Sequence, residues 1–258
     1  MKRADLDLYR HKSKTDYYIQ HGRRRWEDLF PSAQYFLEKN DLRGEKVLEV
    51  GCAGGGMYEI MTDRYGRVDY TGVDISPAEI RHARKAYPGA RFIVCDFLRN
   101  RLRGSSFDTV CAFQIMEHQP QYRKFIAEMF RVARKRVIFN ARVQYEFPTV
   151  VDLEASFLYY HGSGRRNYFI PFNVYELFNY FHTEELGAKK ISAYGYRPPQ
   201  KTSAFVCMPK TKLVAAAFCI EKYAPGEKVE RRGGRAEFAE RRWCEYDIQL
   251  PGFSLADI

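Results

Sequence analysis

The stretch Val47-Leu48-Glu49-Val50-Gly51-Cys52-Ala53-Gly54-Gly55-Gly56 passes from an apolar run into a glycine-rich turn, and a helix-like segment, Met57 to Tyr65, follows. Glycines in such a turn let backbone approach a ligand where a Cβ would intrude, and the first helical turn offers unpaired N–H groups. This is the outline of a nucleotide-binding βα unit. Farther on, the run Tyr70-Thr71-Gly72-Val73 ends in Asp74, an acid spaced to hydrogen-bond the hydroxyls of a ribose. Glu49, just ahead of the first glycine, would repel a pyrophosphate and suits a cationic ligand. A dinucleotide-dependent dehydrogenase is the rival on these residues, with Glu49 and the lack of a regular G-x-G-x-x-G against it.

The elements that must position these residues are legible in the apolar patterning. Strand-length runs recur at 47–50, 68–73, 91–94, 107–113 and 137–139, with helix-length segments between them, which predicts a doubly wound parallel sheet. After Asp74, Ser76-Pro77-Ala78-Glu79 has the form of a capping box with proline at the first helical position. Tyr122, Phe125, Ile126, Met129, Phe130 and Ala133 form a stripe at helical spacing, as do Val174, Leu177, Phe178 and Phe181 in a helix expected over 174–186, with Gly187 placed to end it. Two last strands, near 189–196 and 213–222, are joined by a connection short enough to require an antiparallel pair.

At 258 residues the chain suits one α/β core with extensions. The expected divisions are an N-terminal helical lid or extension over 1–40, a core domain over 41–222 with an insertion near 143–171, and a charged extension over 223–258. The net charge of +10 permits an anionic partner without requiring one, and arginine clusters at 23–25, 99–103 and 131–136 read as solvated faces. Nucleic acid is thus possible and not favoured. Six cysteines without a C-x-x-C pair argue for reduced core thiols, no disulfide framework and no metal site. No apolar run approaches the length of a membrane span, and the N-terminus has no signal-like apolar core; the expected location is cytoplasmic.

Glu49 to Gly56, Thr71 to Ser76, Phe92 to Phe97, and Phe107-Asp108-Thr109-Val110 followed by Glu117-His118 together resemble the class I S-adenosylmethionine-dependent methyltransferases. The resemblance covers roughly residues 45–140 and implies an α/β fold, Rossmann-like and seven-stranded, with the last strand antiparallel beside the sixth. It implies S-adenosyl-L-methionine as cofactor and S-adenosyl-L-homocysteine as product. Glu49, Gly51, Cys52, Ala53 and Gly55 would surround the methionine portion, Asp74 would hold the ribose hydroxyls, and Ile75 would pack on the adenine. Asp96 would bond the adenine amino group with Phe97 beside the ring, and Gln114 would line the methionine arm. The family more often has glycine at the place of Ala53.

Methyl transfer from a sulfonium is an in-line displacement that gains from orientation and desolvation and needs no nucleophilic side chain. A hydroxyl acceptor of high pKa calls for a general base, for which His118 is the first candidate and His161 the second. His118 can equally support the loop, and Cys52 reads as a packed residue. Tyr17, Tyr18, Tyr160, Arg165 and Arg166 are the candidate substrate-binding residues: the last three stand in the insertion where acceptor contacts are expected, and Tyr17 and Tyr18 precede the core, placed to cover the site as a lid. The function expected is methyl transfer to oxygen or nitrogen of a small-molecule or glycan-type acceptor. The alternatives are an RNA or protein methyltransferase and a non-catalytic S-adenosylmethionine-binding scaffold. The run Ala112 to Met116 lacks the Asn/Asp-Pro-Pro-aromatic signature, which counts against nucleobase-amine or glutamine methylation.

Overall fold

Alternation of side chains along five parallel strands sends one set of apolar residues to each face of a central sheet. In the computed structural model, which describes residues 22–160, 166–182, 186–198, 204–224 and 244–253, with the side chains of 159–160 and 204–205 left aside, these strands are β1 (Lys46–Val50), β2 (Asp69–Asp74), β3 (Arg91–Val94), β4 (Phe107–Ala112) and β5 (Ala133–Gln144). Leu48, Val110, Val137 and Phe139 face one core cluster, while Val47, Cys111 and Ile138 face the other. Each face is covered by helices, as a parallel sheet requires. α1 (Pro31–Lys39), α2 (Gly56–Tyr65) and α3 (Pro77–Ala86) supply Phe36, Leu37, Ile60, Met61, Ile80 and Ala83 to one side. α4 (Tyr122–Val132) and α5 (Val174–Phe181) supply Phe125, Ile126, Met129, Leu177, Phe178 and Phe181 to the other. Each fully buried phenylalanine contributes roughly 1.5–3 kcal/mol before its ordering entropy.

Past β5 the chain forms β6 (Phe157–Tyr160), β7 (Arg166–Tyr168), β8 (Phe172–Asn173), β9 (Ala188–Tyr196), β10 (Ala204–Val206), β11 (Val214–Lys222) and β12 (Glu245–Gln249). The strand order is β12-β9-β11-β5-β4-β1-β2-β3, with β8 beside the end of β5. β11 runs antiparallel between β5 and β9, which is the arrangement expected for the last two strands of a seven-stranded methyltransferase-type sheet. The insertion after β5 contributes β6 and β7, and the connection between β9 and β11 contributes β10, to a separate small sheet of order β10-β6-β7, with Leu158, Phe169 and Leu213 clustered beside it.

Some features differ from expectation. The helix expected over 174–186 ends at Phe181, with the His182 N–H bonded to the Phe178 carbonyl. Within 223–258, read as a charged extension, β12 adds to the sheet edge parallel to β9. Tyr246 and Ile248 pack against the core and Leu250 is buried; the pattern is period-two alternation, with Glu245, Asp247 and Gln249 between the apolar residues. The basic run at 134–136 is no free solvated face. Lys135 and Arg136 each stand 3.0 Å from the buried Glu45 carboxylate, and Arg134 pairs with Asp108. No helix among the described residues is long and apolar enough to cross a membrane.

Candidate functional site

At the carboxyl ends of β1, β2, β3 and β4 the strands open into a cleft of about 490 Å³. The turn after β1 shapes one wall. Gly51 takes φ 75° and Gly55 φ 85°, and between them Ala53 sits at φ 45°, a left-handed conformation that costs a non-glycine residue of the order of 1 kcal/mol. Asp74 holds that turn: its carboxylate accepts the Ala53 N–H at 3.0 Å and the Ser76 N–H at 2.8 Å. Gly72 in β2 allows the close approach, since a Cβ there would lie 2.8 Å from the Cys52 sulfur. At the head of α3, Ser76 Oγ accepts the Glu79 N–H at 3.4 Å, and the Glu79 carboxylate lies beside Gly54.

Glu49 is buried at the end of β1 and its Oε2 accepts the Tyr70 hydroxyl. Burial raises its carboxyl to about 7, opposed by the charge of Arg23 and by the Tyr70 hydrogen bond. Burial raises Asp74 as well, opposed by its backbone N–H partners. The Cys52 thiol is pushed well above its ordinary range by burial and by the Asp74 and Glu49 carboxylates, so it stays protonated and is no nucleophile.

Glu49, Gly51, Cys52, Ala53, Asp74, Ile75, Asp96, Phe97, Gln114 and His118 all border the cleft. Gly55 does not; it caps the N-terminus of α2, and a Cβ on it would meet the Phe92 ring at 2.8 Å. Asp96 stands 3.7 Å from Arg99, and Phe97 packs edge-on against Phe125. Gln114 takes φ 61° with its N–H on Asn140 Oδ1 at 2.5 Å. His118 Nδ1 lies 2.6 Å from the Tyr168 carbonyl. A carbonyl only accepts, so Nδ1 carries a hydrogen and, in the neutral ring, Nε2 carries the lone pair.

Arg166 lies off the cleft lining. It pairs with Glu154 and stacks on Phe157 at 4.7 Å, both within the insertion. Tyr17, Tyr18, His161 and Arg165 fall outside the described residues, as does the side chain of Tyr160 on β6. The sequence reading missed Asn140, Arg142, Phe30 and Arg23. Arg142, Phe30 and Arg23 border the cleft, and Asn140 steadies Gln114. A polar residue inside the apolar run Val137-Ile138-Phe139-Asn140-Ala141 was the available signal.

Residues 47–136 match the family model described as "Methyltransferase domain", over the β1 to β5 segment that builds the cleft. That segment is similar to a methyltransferase domain. The chain is 35% identical over 96 residues to phthiotriol/phenolphthiotriol dimycocerosates methyltransferase of Mycobacterium tuberculosis, 36% of each chain. It is 34% identical over 94 residues to 2-methyl-6-phytyl-1,4-hydroquinone methyltransferase of Synechocystis, covering 35% of this chain and 29% of the other. The match thus spans about a third of the length of the curated relatives. Among solved structures, a Haemonchus contortus phosphoethanolamine N-methyltransferase 2 complex is similar with a TM-score of 0.62 and 14% identity, over 86% of this chain and 60% of that one. Burkholderia thailandensis 1,6-didemethyltoxoflavin-N1-methyltransferase is similar with a TM-score of 0.52 and 18% identity, over 85% and 86%. These likenesses extend the shared methyltransferase fold beyond residue 136.

Proposed function

We propose that the chain binds S-adenosylmethionine in this cleft and transfers its methyl group to oxygen or nitrogen of a small-molecule acceptor. The observation that carries the reading is the donor set. Three carboxylates, Glu49, Asp74 and Asp96, and two apolar side chains, Ile75 and Phe97, border one cleft at the strand ends. They match a cationic amino acid, a pair of ribose hydroxyls and a planar base. S-adenosylmethionine supplies a methyl group on a sulfonium, already electrophilic. The chain's own residues then have to orient, exclude water and accept a proton.

Glu49, buried and close to half-ionised at neutral pH, favours a cation beside the β1 turn. Asp74 presents its carboxylate while bracing that turn. His118, oriented by Tyr168, has its lone pair on Nε2 to take a proton from the acceptor. Phe30, Leu158, Phe169, Val206 and Leu213 also border the cleft and keep part of its lining apolar. The relatives' names favour organic small-molecule acceptors, and the pairing of Arg134 to Arg136 with Asp108 and Glu45 removes one basic cluster from an RNA reading.

Methyl-labelled S-adenosylmethionine offered with phenols, amines and sugars, and separately with total RNA, tests the acceptor class. Label is expected in a small-molecule fraction. Label in RNA alone, or in none of them, contradicts the reading.

A further inference from the structure

The basic side chains of β5 divide sharply by their partners. Near the strand's start, Arg134, Lys135 and Arg136 meet Asp108 and Glu45. Near its end, Arg142 meets no carboxylate among the described residues. Its guanidinium carbon lies 5.0 Å from the centroid of the Phe30 ring. Its Nη1 is shut from solvent without a hydrogen-bond partner among the described residues. A guanidinium cannot shed its proton to relieve that state, and a buried charged donor left unbonded is disfavoured more strongly than a neutral one.

Position adds to this. Arg142 follows Asn140 by one pleat and shares its face of β5, and Asn140 holds the backbone of Gln114 at the mouth of β4. Arg142 borders the cleft together with Phe30, whereas Glu49, Asp74 and Asp96 border it from β1, β2 and the turn after β3. No ion pair joins Arg142 to Glu117, the carboxylate bordering the cleft from the turn after β4. The cleft is therefore acidic where β1 to β3 end and carries an unspent cation where β5 ends. Its apolar lining strengthens any charge pairing made there.

We propose that Arg142 binds the methyl acceptor and that the acceptor carries an oxyanion, a carboxylate or a phosphate ester, on an apolar body. The proposal rests on the methyltransferase reading for the assignment of this half of the cleft to the acceptor. The Phe30 ring lies against the guanidinium, and the buried Nη1 becomes one arm of a charge-assisted, two-point contact.

The test uses the full chain saturated with S-adenosylhomocysteine and titrated with phenyl phosphate, benzoate and uncharged benzyl alcohol. Wild type, Arg142→Gln and Arg142→Lys are compared. At least one anion is expected to bind wild type tenfold or more tightly than benzyl alcohol, and which one it is separates phosphate from carboxylate. Arg142→Gln is expected to lose that advantage while its S-adenosylhomocysteine affinity stays within about twofold. Should the Gln variant fail to fold, Arg142→Lys carries the comparison, with charge kept, the fork lost and a reduced preference expected. Equal binding of all three ligands to wild type, or an anion preference that survives Arg142→Gln, overturns the proposal. An S-adenosylhomocysteine titration read by itself keeps the two claims apart: its failure with the anion site intact overturns the methyltransferase reading, and with it the acceptor assignment, and leaves Arg142 as an anion site.

Discussion

Asp74 accepts the backbone N–H of Ala53 across the gap between the ends of β1 and β2, at 3.0 Å. The same carboxylate accepts the Ser76 N–H at 2.8 Å, so one side chain fixes the glycine-rich turn, the exit of β2 and the entry to α3. Asp74→Ala removes both bonds as well as the proposed ribose contact. Losing charge-assisted hydrogen bonds of about 1.5–3 kcal/mol each predicts at least a tenfold loss of S-adenosylhomocysteine affinity by calorimetry, with a lower Tm. Unchanged affinity would remove Asp74 from the cofactor site.

Glu49 sets a pH dependence. Burial raises its carboxyl to about 7, and the ionised form is the one that favours a cationic ligand. Affinity for S-adenosylhomocysteine, whose amino group is cationic, is expected to rise from pH 6 to pH 8 and to flatten in Glu49→Gln. Stability of the unliganded protein runs the other way. Because the folded value lies above the ordinary 4.5, Glu49's contribution is full below 4.5 and is lost as pH rises towards 7, by roughly 3 kcal/mol. A pH-independent affinity in the wild type would exclude Glu49 from this role.

His118 can be tested without disturbing the contact that orients it. His118→Asn keeps a donor near the position of Nδ1, able to reach the Tyr168 carbonyl, and removes Nε2. A general-base role predicts a fall of about 10²–10⁴ in the single-turnover rate, with S-adenosylhomocysteine affinity unchanged. A wild-type rate in the Asn variant would make His118 a positioning residue for the β4 turn.

Gly55 and Ala53 are close in the same turn and predict different behaviour. Gly55→Ala places a Cβ 2.8 Å from Phe92 at φ 85°, and strain of roughly 1–3 kcal/mol lowers Tm by several degrees. Ala53→Gly relieves the φ of 45° while loosening the unfolded chain, so its Tm stays near that of wild type. A tolerated Gly55→Ala in thermal melts would contradict the turn geometry.

Asp74, Asp96 and Gln114 were legible because each lies at or just past the end of a short apolar strand, where a parallel sheet places its ligand crevice. Gly55 belonged to the same pattern, yet its lack of a Cβ serves the packing of Phe92 and not the cleft lining. Arg142 was hidden because its meaning depends on Phe30, brought beside it only when α1 docks on the sheet. Arg166 looked available in sequence, but Glu154 and Phe157 engage it locally. β12 was obscured by the charges that alternate with Tyr246, Ile248 and Leu250.

Calorimetric titration of the purified chain with S-adenosylhomocysteine, with NAD as the control, addresses the cleft most directly. Saturable one-to-one binding of S-adenosylhomocysteine and none of NAD is predicted. Binding of NAD in its place would return Gly51 to Asp74 to a dinucleotide site, and binding of neither would contradict the cofactor assignment of the cleft.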